Sequence, residues 1–237
     1  MIRKTLIAAL FITICSFYPQ NLQAQESPVV VELFTSQSCS SCPAADKALA
    51  ELVRENKNII ALSCHVTYWN HLRWKDTLSK PECSRRQREY AIALGNGKRV
   101  YTPQMVVNGE NGFVGSHRKE AKKAIANAGS ITPISLSKQD SKTLMADLPE
   151  LPAKLYRLIS FGYKNNHTEN IKGGENGGKI LRSTNAVVYA GPAESWDGSA
   201  KMKGIMIPNN NDIDGVIVLV QSAQTGTVVS AGQILLN

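Results

Sequence analysis

The succession of apolar runs predicts an α/β domain that opens strand–helix–strand, followed by a second domain of short strands. Three observations carry this. Val29 to Phe34 is an apolar run interrupted only at Glu32, as expected of a buried strand. From Pro43 onward, Ala44, Ala48, Leu49, Leu52 and Val53 recur at helical spacing. Beyond Ile131 the helical period gives way to short Val-, Ile-, Leu- and Tyr-rich runs broken by Gly, Pro and Asn.

The elements follow in order. Residues 1–24 read as a leader, with Arg3 and Lys4 ahead of an apolar run from Leu6 to Phe17 and a cleavage site at Leu22-Gln-Ala24. That run is short for a bilayer span. Ile14 before Cys15 is too bulky for lipoprotein processing, so no membrane anchor is expected after cleavage. The mature chain is expected in the periplasm or outside the cell. After the first strand, Thr35 to Ser38 is a polar turn, and Pro43 suits the first turn of a helix. Asn58 to Val66 reads as a second buried strand, parallel to the first through a right-handed crossover.

Thr67 to Pro81 is irregular and aromatic-rich, and Glu82 to Leu94 is expected to be helical, ending at Gly95-Asn-Gly97. Tyr101 to Val107 is a strand, and Asn108-Gly109 a hairpin turn leading to Phe113-Val114. Ser116 is expected to cap a last helix running to about Ala128. This order is a thioredoxin-like arrangement with one helical insertion. The first domain is expected over residues 28–129 and the second, a small sandwich, over 132–237, with the boundary between Gly129 and Pro133.

Chemistry concentrates at Cys39-Ser-Ser-Cys42, where a strand hands over to a helix N-terminus. Unpaired N–H groups and the positive dipole end favour an anion there, so they stabilise a thiolate. A cysteine so placed falls from a pKa of about 8.5 to roughly 3.5–7.5. Cys39, on the turn, is the expected nucleophile, and Cys42, one helical turn on, the resolving thiol. Strand, C-x-x-C and helix in that order form a redox signature. Export leaves Cys39, Cys42, Cys64 and Cys83 where disulfides persist. The favoured pairing is Cys39–Cys42 as the labile pair and Cys64–Cys83 as a structural one worth about 3 kcal/mol. The alternative for Cys64 is a free core thiol.

Net charge is +8, but the basic residues are scattered, the densest group being Arg85, Arg86 and Arg88. No basic stripe with interleaved aromatics appears, so nucleic acid is not an expected partner. The spacing of Cys39, Cys42, Cys64 and Cys83, even with His65 and His71, matches no compact zinc pattern. No metal and no cofactor is expected.

Val-Glu-Leu-Phe-Thr-Ser-Gln-x-Cys-Ser-Ser-Cys-Pro-x-Ala-Asp, over residues 31–46, resembles a family of secreted bacterial proteins with a thioredoxin-like fold, catalogued as a domain of unknown function. The similarity continues through His65-Val-x-Tyr-Trp69, Trp74-Lys-Asp76, Arg86-Gln87, Tyr90-Ala91 and Tyr101 to Val107, and returns at Gly174 to Leu181. It implies the fold strongly and the activity weakly. Apolar residues usually occupy the places of Cys64 and Cys83, so a disulfide specific to this member is implied. Ser38 stands where the family usually has Gly.

In thioredoxin-like proteins a cis-proline faces the C-x-x-C, and Pro103 fits that role. Thr102 before it would offer its backbone to an extended substrate. The alternative is an ordinary strand-entry proline. Glu32, seven residues before Cys39, is a candidate proton acceptor for Cys42 through a water; the alternative is a structural ion pair. Tyr68, Trp69 and Trp74 form a candidate substrate groove over the cysteines, or else pack the insertion onto the sheet. Gly173 to Gly178 reads as a sharp loop. The expected function is thiol–disulfide exchange with protein thiols or disulfides, or with a redox partner protein. The alternative is a non-enzymatic binding protein or copper metallochaperone on the same frame.

Overall fold

The computed structural model describes residues 27–208 and 212–236. The leader expected over residues 1–24 lies outside them. β1 (Val29–Thr35), α1 (Cys42–Glu55) and β2 (Ile59–His65) form the expected crossover, the two strands parallel from Val29↔Ile59 to Thr35↔His65. Alternation sorts β1 by face. Val31 and Leu33 pack with Ala45, Leu49 and Ala61, while Val30 and Phe34 turn to the opposite side.

α2 (Pro81–Ala93) covers that opposite side. A disulfide joins Cys83 of α2 to Cys64 of β2. β3 (Gln104–Val107) runs antiparallel to β1, and Asn108-Gly109, both at positive φ, turns it into β4 (Asn111–Val114). α3 (Arg118–Ala126) then buries Ala121 beside Met105 and Phe113. Ser116 does not make the expected cap: the helix starts two residues later, and the Ser116 carbonyl accepts the Arg118 N–H.

The remainder is all strand: β5 (Thr132–Pro133), β6 (Ser135–Lys138), β7 (Thr143–Leu148), β8 (Tyr156–Lys164), β9 (His167–Asn170), β10 (Ile180–Ser183), β11 (Ala186–Ala190), β12 (Glu194–Trp196), β13 (Lys201–Met206), β14 (Gly215–Ser222) and β15 (Val228–Leu235). Most of these strands extend the first sheet. Its order is β4-β3-β1-β2-β11-β8-β14-β15-β5, with β12 also on β8. The junction is β2 with β11. Ser63 Oγ donates to the Thr184 carbonyl at 2.7 Å and Asn185 Nδ2 to the Ala61 carbonyl at 3.0 Å.

Both faces of this mixed sheet are covered. Ile217 and Leu219 of β14 join Phe34, Leu62 and Tyr90 under α2. Val216, Val218 and Val220 pack against Leu144, Ala146 and Leu148 from a separate sheet, β13-β7-β6. The strand-rich half is therefore two packed layers, one of which is continuous with the sheet that carries the cysteines. β9 and β10 form a hairpin of their own against α1.

Candidate redox site

β1 ends at Thr35, and the turn that follows is held by its own serines. Ser38 N–H donates to Ser36 Oγ at 3.1 Å and Cys39 N–H to the Ser36 carbonyl at 3.2 Å. Cys42 opens α1 with Pro43 behind it. Both cysteines are free and buried. Cys39 Sγ lies 3.3 Å from Ser41 Oγ and 3.8 Å from the Thr102 carbonyl. Hydrogen bonds from Cys42, then from Ser41 and Thr102, outweigh burial and lower the Cys39 thiol to about 5. Burial, and after it the neighbouring Cys39, pushes Cys42 strongly the other way. The two thiols are thus shifted in opposite directions.

Asp46 is the acid beneath the pair. It sits four residues after Cys42 on the buried side of α1, so the two side chains share one helix face. Thr35 Oγ1 donates to Asp46 Oδ2 at 3.4 Å, and Asp46 Oδ1 is buried without a hydrogen-bond partner. Burial raises the Asp46 carboxyl to about 7, against the opposing pull of His65. His65 Nδ1 and Asp76 Oδ2 are 2.8 Å apart, and His65 Nε2 lies 3.2 Å from Ser183 Oγ. Burial disfavours the His65 imidazolium, yet the Asp76 and Asp46 carboxylates hold its pKa above the usual value. A cleft of about 580 Å³ between α1 and β10, lined by Asp46, Lys47, Ala50, Leu181 and Ser183, leads from this acid to solvent.

Glu32, the acid the sequence suggested, is not part of this arrangement. It points with Val30 and Phe34 to the α2 face, away from the side on which α1 lies. Arg86 Nε and Nη2 donate to its two oxygens at 2.5 and 2.8 Å, and Tyr90 Oη donates to it at 2.5 Å. It is the structural ion pair weighed as its alternative. The signal for Asp46 was present in the sequence: a carboxylate on the apolar stripe Ala45, Ala48, Leu49, one turn after Cys42.

The insertion does reach the cysteine turn. Trp69 Nε1 donates to Thr102 Oγ1 at 2.8 Å, and Trp74 Nε1 to Gln37 Oε1 at 3.0 Å. Asp76 Oδ2 accepts the Gln37 N–H at 2.8 Å. The Thr102–Pro103 peptide is cis, and the Thr102 carbonyl faces Cys39 Sγ. The Tyr68 hydroxyl meets Gln87 Oε1 of α2 at 3.2 Å and also reaches the Thr102 side chain. Thr102, Pro103, Tyr68, Trp69 and Trp74 are thus gathered near the cysteine turn.

One contributor was not anticipated. The 173–178 loop places fully buried Asn176 against the turn, its Nδ2 donating to the Gln37 and Cys39 carbonyls, both at 2.9 Å. Glu175 Oε2 accepts the Ser40 N–H at 3.1 Å. The contact spans more than 130 residues of sequence, and no local pattern announces it.

Residues 30–221 match a family described as "Protein of unknown function (DUF1223)". Over 95 residues the chain is 32% identical to a thioredoxin of Methanocaldococcus jannaschii, covering 40% of this chain and 88% of that protein. An X-ray structure of an Agrobacterium tumefaciens protein is 29% identical, with a TM-score of 0.74 over 90% of this chain and 97% of that one. HBP35 of Porphyromonas gingivalis is similar in fold, with 19% identity and a TM-score of 0.59 over 89% of this chain and 76% of that one.

Proposed function

The chain belongs to the DUF1223 family of proteins of unknown function, and we propose that it is a thiol–disulfide oxidoreductase built on a thioredoxin-like unit. The observation that carries the reading is the split between its two thiols. Cys39 is lowered to about 5 at a helix N-terminus, Cys42 is raised, and a buried carboxyl near 7 lies one helical turn below. The similarity to an archaeal thioredoxin supports the same chemistry.

The Cys39 thiolate attacks one sulfur of a substrate disulfide, forming a mixed disulfide and expelling the other sulfur as a thiolate. Cys42 passes its proton to ionised Asp46 and attacks Cys39 Sγ. The bound substrate sulfur leaves as a second thiolate, and the protein keeps a Cys39–Cys42 disulfide. Two electrons have moved from the dithiol to the substrate. Run backward, the same steps oxidise a substrate dithiol, and the reduction potential of the pair sets the direction. The Thr102 carbonyl and the Trp69–Trp74 insertion give an extended peptide a place to lie beside Cys39, so protein thiols or disulfides are the substrates we favour. The leader-like start and the Cys64–Cys83 disulfide support an exported, oxidising location.

Insulin reduction and reactivation of scrambled ribonuclease, with wild type and Cys39→Ser, test the reading. Turnover lost in the variant, with Cys42→Ser trapping a mixed disulfide, is the expected result. Alkylation of the reduced protein should report a single reactive thiol with its midpoint near pH 5. Absence of turnover in both assays by the wild type would overturn the proposal.

A further inference from the structure

Three of the five methionines lie together on a surface that thiol exchange does not use. β13 pairs with β7 so that Met202 stands opposite Asp147, Gly204 opposite Met145 and Met206 opposite Thr143. Leu144, Ala146, Leu148 and Ile205 point between the two layers. By strand alternation, Met145, Asp147, Met202, Gly204 and Met206 share the outer face. Met202 and Met206 are 57% and 65% exposed, unusual for large apolar side chains. Between them Gly204 leaves a gap: a Cβ there would meet only Thr143 Cγ2, at 3.7 Å.

The spacing suits a small ion. Two strand residues four apart are separated by about 13 Å. Met145, across from Gly204 on the paired strand, stands diagonal to both at about 7–8 Å, within reach of long side chains. Met206 Sδ accepts from Thr143 Oγ1 at 3.8 Å, so its arm swings toward Gly204 to take up an ion. The charge is also favourable. The chain has a net charge of +8, yet alternation turns Lys201 and Lys203 of β13 to the other face, where Lys203 Nζ pairs with Glu194 at 2.6 Å. The neighbouring β6 contributes Ser135 and Ser137, and Asp147 adds a carboxylate. Neutral, polarisable thioethers select a soft monovalent ion over zinc, calcium or magnesium. Among the described residues no group of three or more His, Cys, Asp and Glu side chains is gathered to hold a metal.

We infer that Met145, Met202 and Met206 form a Cu(I) site on the outer face of the β13-β7-β6 sheet, with Asp147 offsetting the charge of the ion. This does not rest on the thiol chemistry, and its test removes that chemistry. The full chain carrying Cys39→Ser and Cys42→Ser is titrated with Cu(I) in anaerobic ascorbate against a chromophoric Cu(I) chelator. Retention of one equivalent is expected, with sulfur scattering near 2.3 Å in X-ray absorption. Each single Met→Leu change at the three positions should weaken retention at least tenfold, and the triple change should abolish it. Leu keeps the volume and hydropathy of Met, and circular dichroism confirms that each variant is folded. No Cu(I) retained, or retention unchanged in the folded triple variant, would overturn the site.

Discussion

A carboxyl raised to about 7 by burial works against folding wherever it is ionised. The usual value for Asp46 is 3.8, so between those two values the folded chain binds more protons than the unfolded one. Stability from this group is therefore greatest at low pH and falls as pH rises from about 4 to about 7. At 1.36 kcal/mol per unit the full shift sets an upper limit of about 4 kcal/mol. Asp46→Asn should flatten that slope and stabilise the fold at pH 8 by about 2–4 kcal/mol. Urea denaturation at pH 5 and pH 8 measures it. The same variant should resolve mixed disulfides about 100-fold more slowly, because Cys42 loses its proton acceptor. A variant that gains stability but keeps its rate would remove Asp46 from the mechanism. Cys39 and Cys42 were legible as neighbours at a helix start because a C-x-x-C between strand and helix is a local pattern. The acid was only half legible: Asp46 falls on the apolar stripe one turn after Cys42, but Glu32 is equally an isolated carboxylate among apolar neighbours. Only the sheet decides that one faces α2 and the other lies under Cys42.

At the scale of elements, β1 and α2 are held by a buried ion pair. Arg86 has its Nε and Nη2 on Glu32, and its Nη1 donates to Gln221 Oε1 of β14 at 3.1 Å. Removing one member of such a pair leaves a buried charge without its counterion. Glu32→Gln should cost about 3–5 kcal/mol, read as a lower denaturation midpoint. Its rate of mixed-disulfide resolution should equal that of wild type, the outcome that separates an ion pair from a proton acceptor. Helix and strand positions were readable from periodicity because the two faces of each element differ in polarity. The Ser116 cap was misread because a capping residue is defined by where the backbone turns, and that happens one residue later, at His117.

For the whole molecule, the two halves share a core. The cluster under α2 draws Phe34, Leu62 and Tyr90 from the first half and Ile159, Phe161, Ile217 and Leu219 from the second. Residues 27–129 alone would leave β2 an open edge and expose that face of α2's partners to water, an aggregation hazard. Such a fragment should be insoluble or lack a cooperative transition, whereas residues 27–236 should melt as one unit; calorimetry of the two chains decides. A soluble, cooperatively melting fragment would show that the first half needs no support from the second.

The sequence by itself determined the strand–helix placement of the cysteines, the Asn108-Gly109 turn and the strand-rich second half. Each follows from the conformational preferences of a few neighbouring residues. Tertiary structure alone decided that β11 would continue the sheet from β2, that Asn176 would grip the turn at Gln37 and Cys39, and that Asp46 rather than Glu32 would lie beneath Cys42. Those outcomes depend on which faces and edges meet after the chain closes loops of up to about 140 residues. No local preference encodes that.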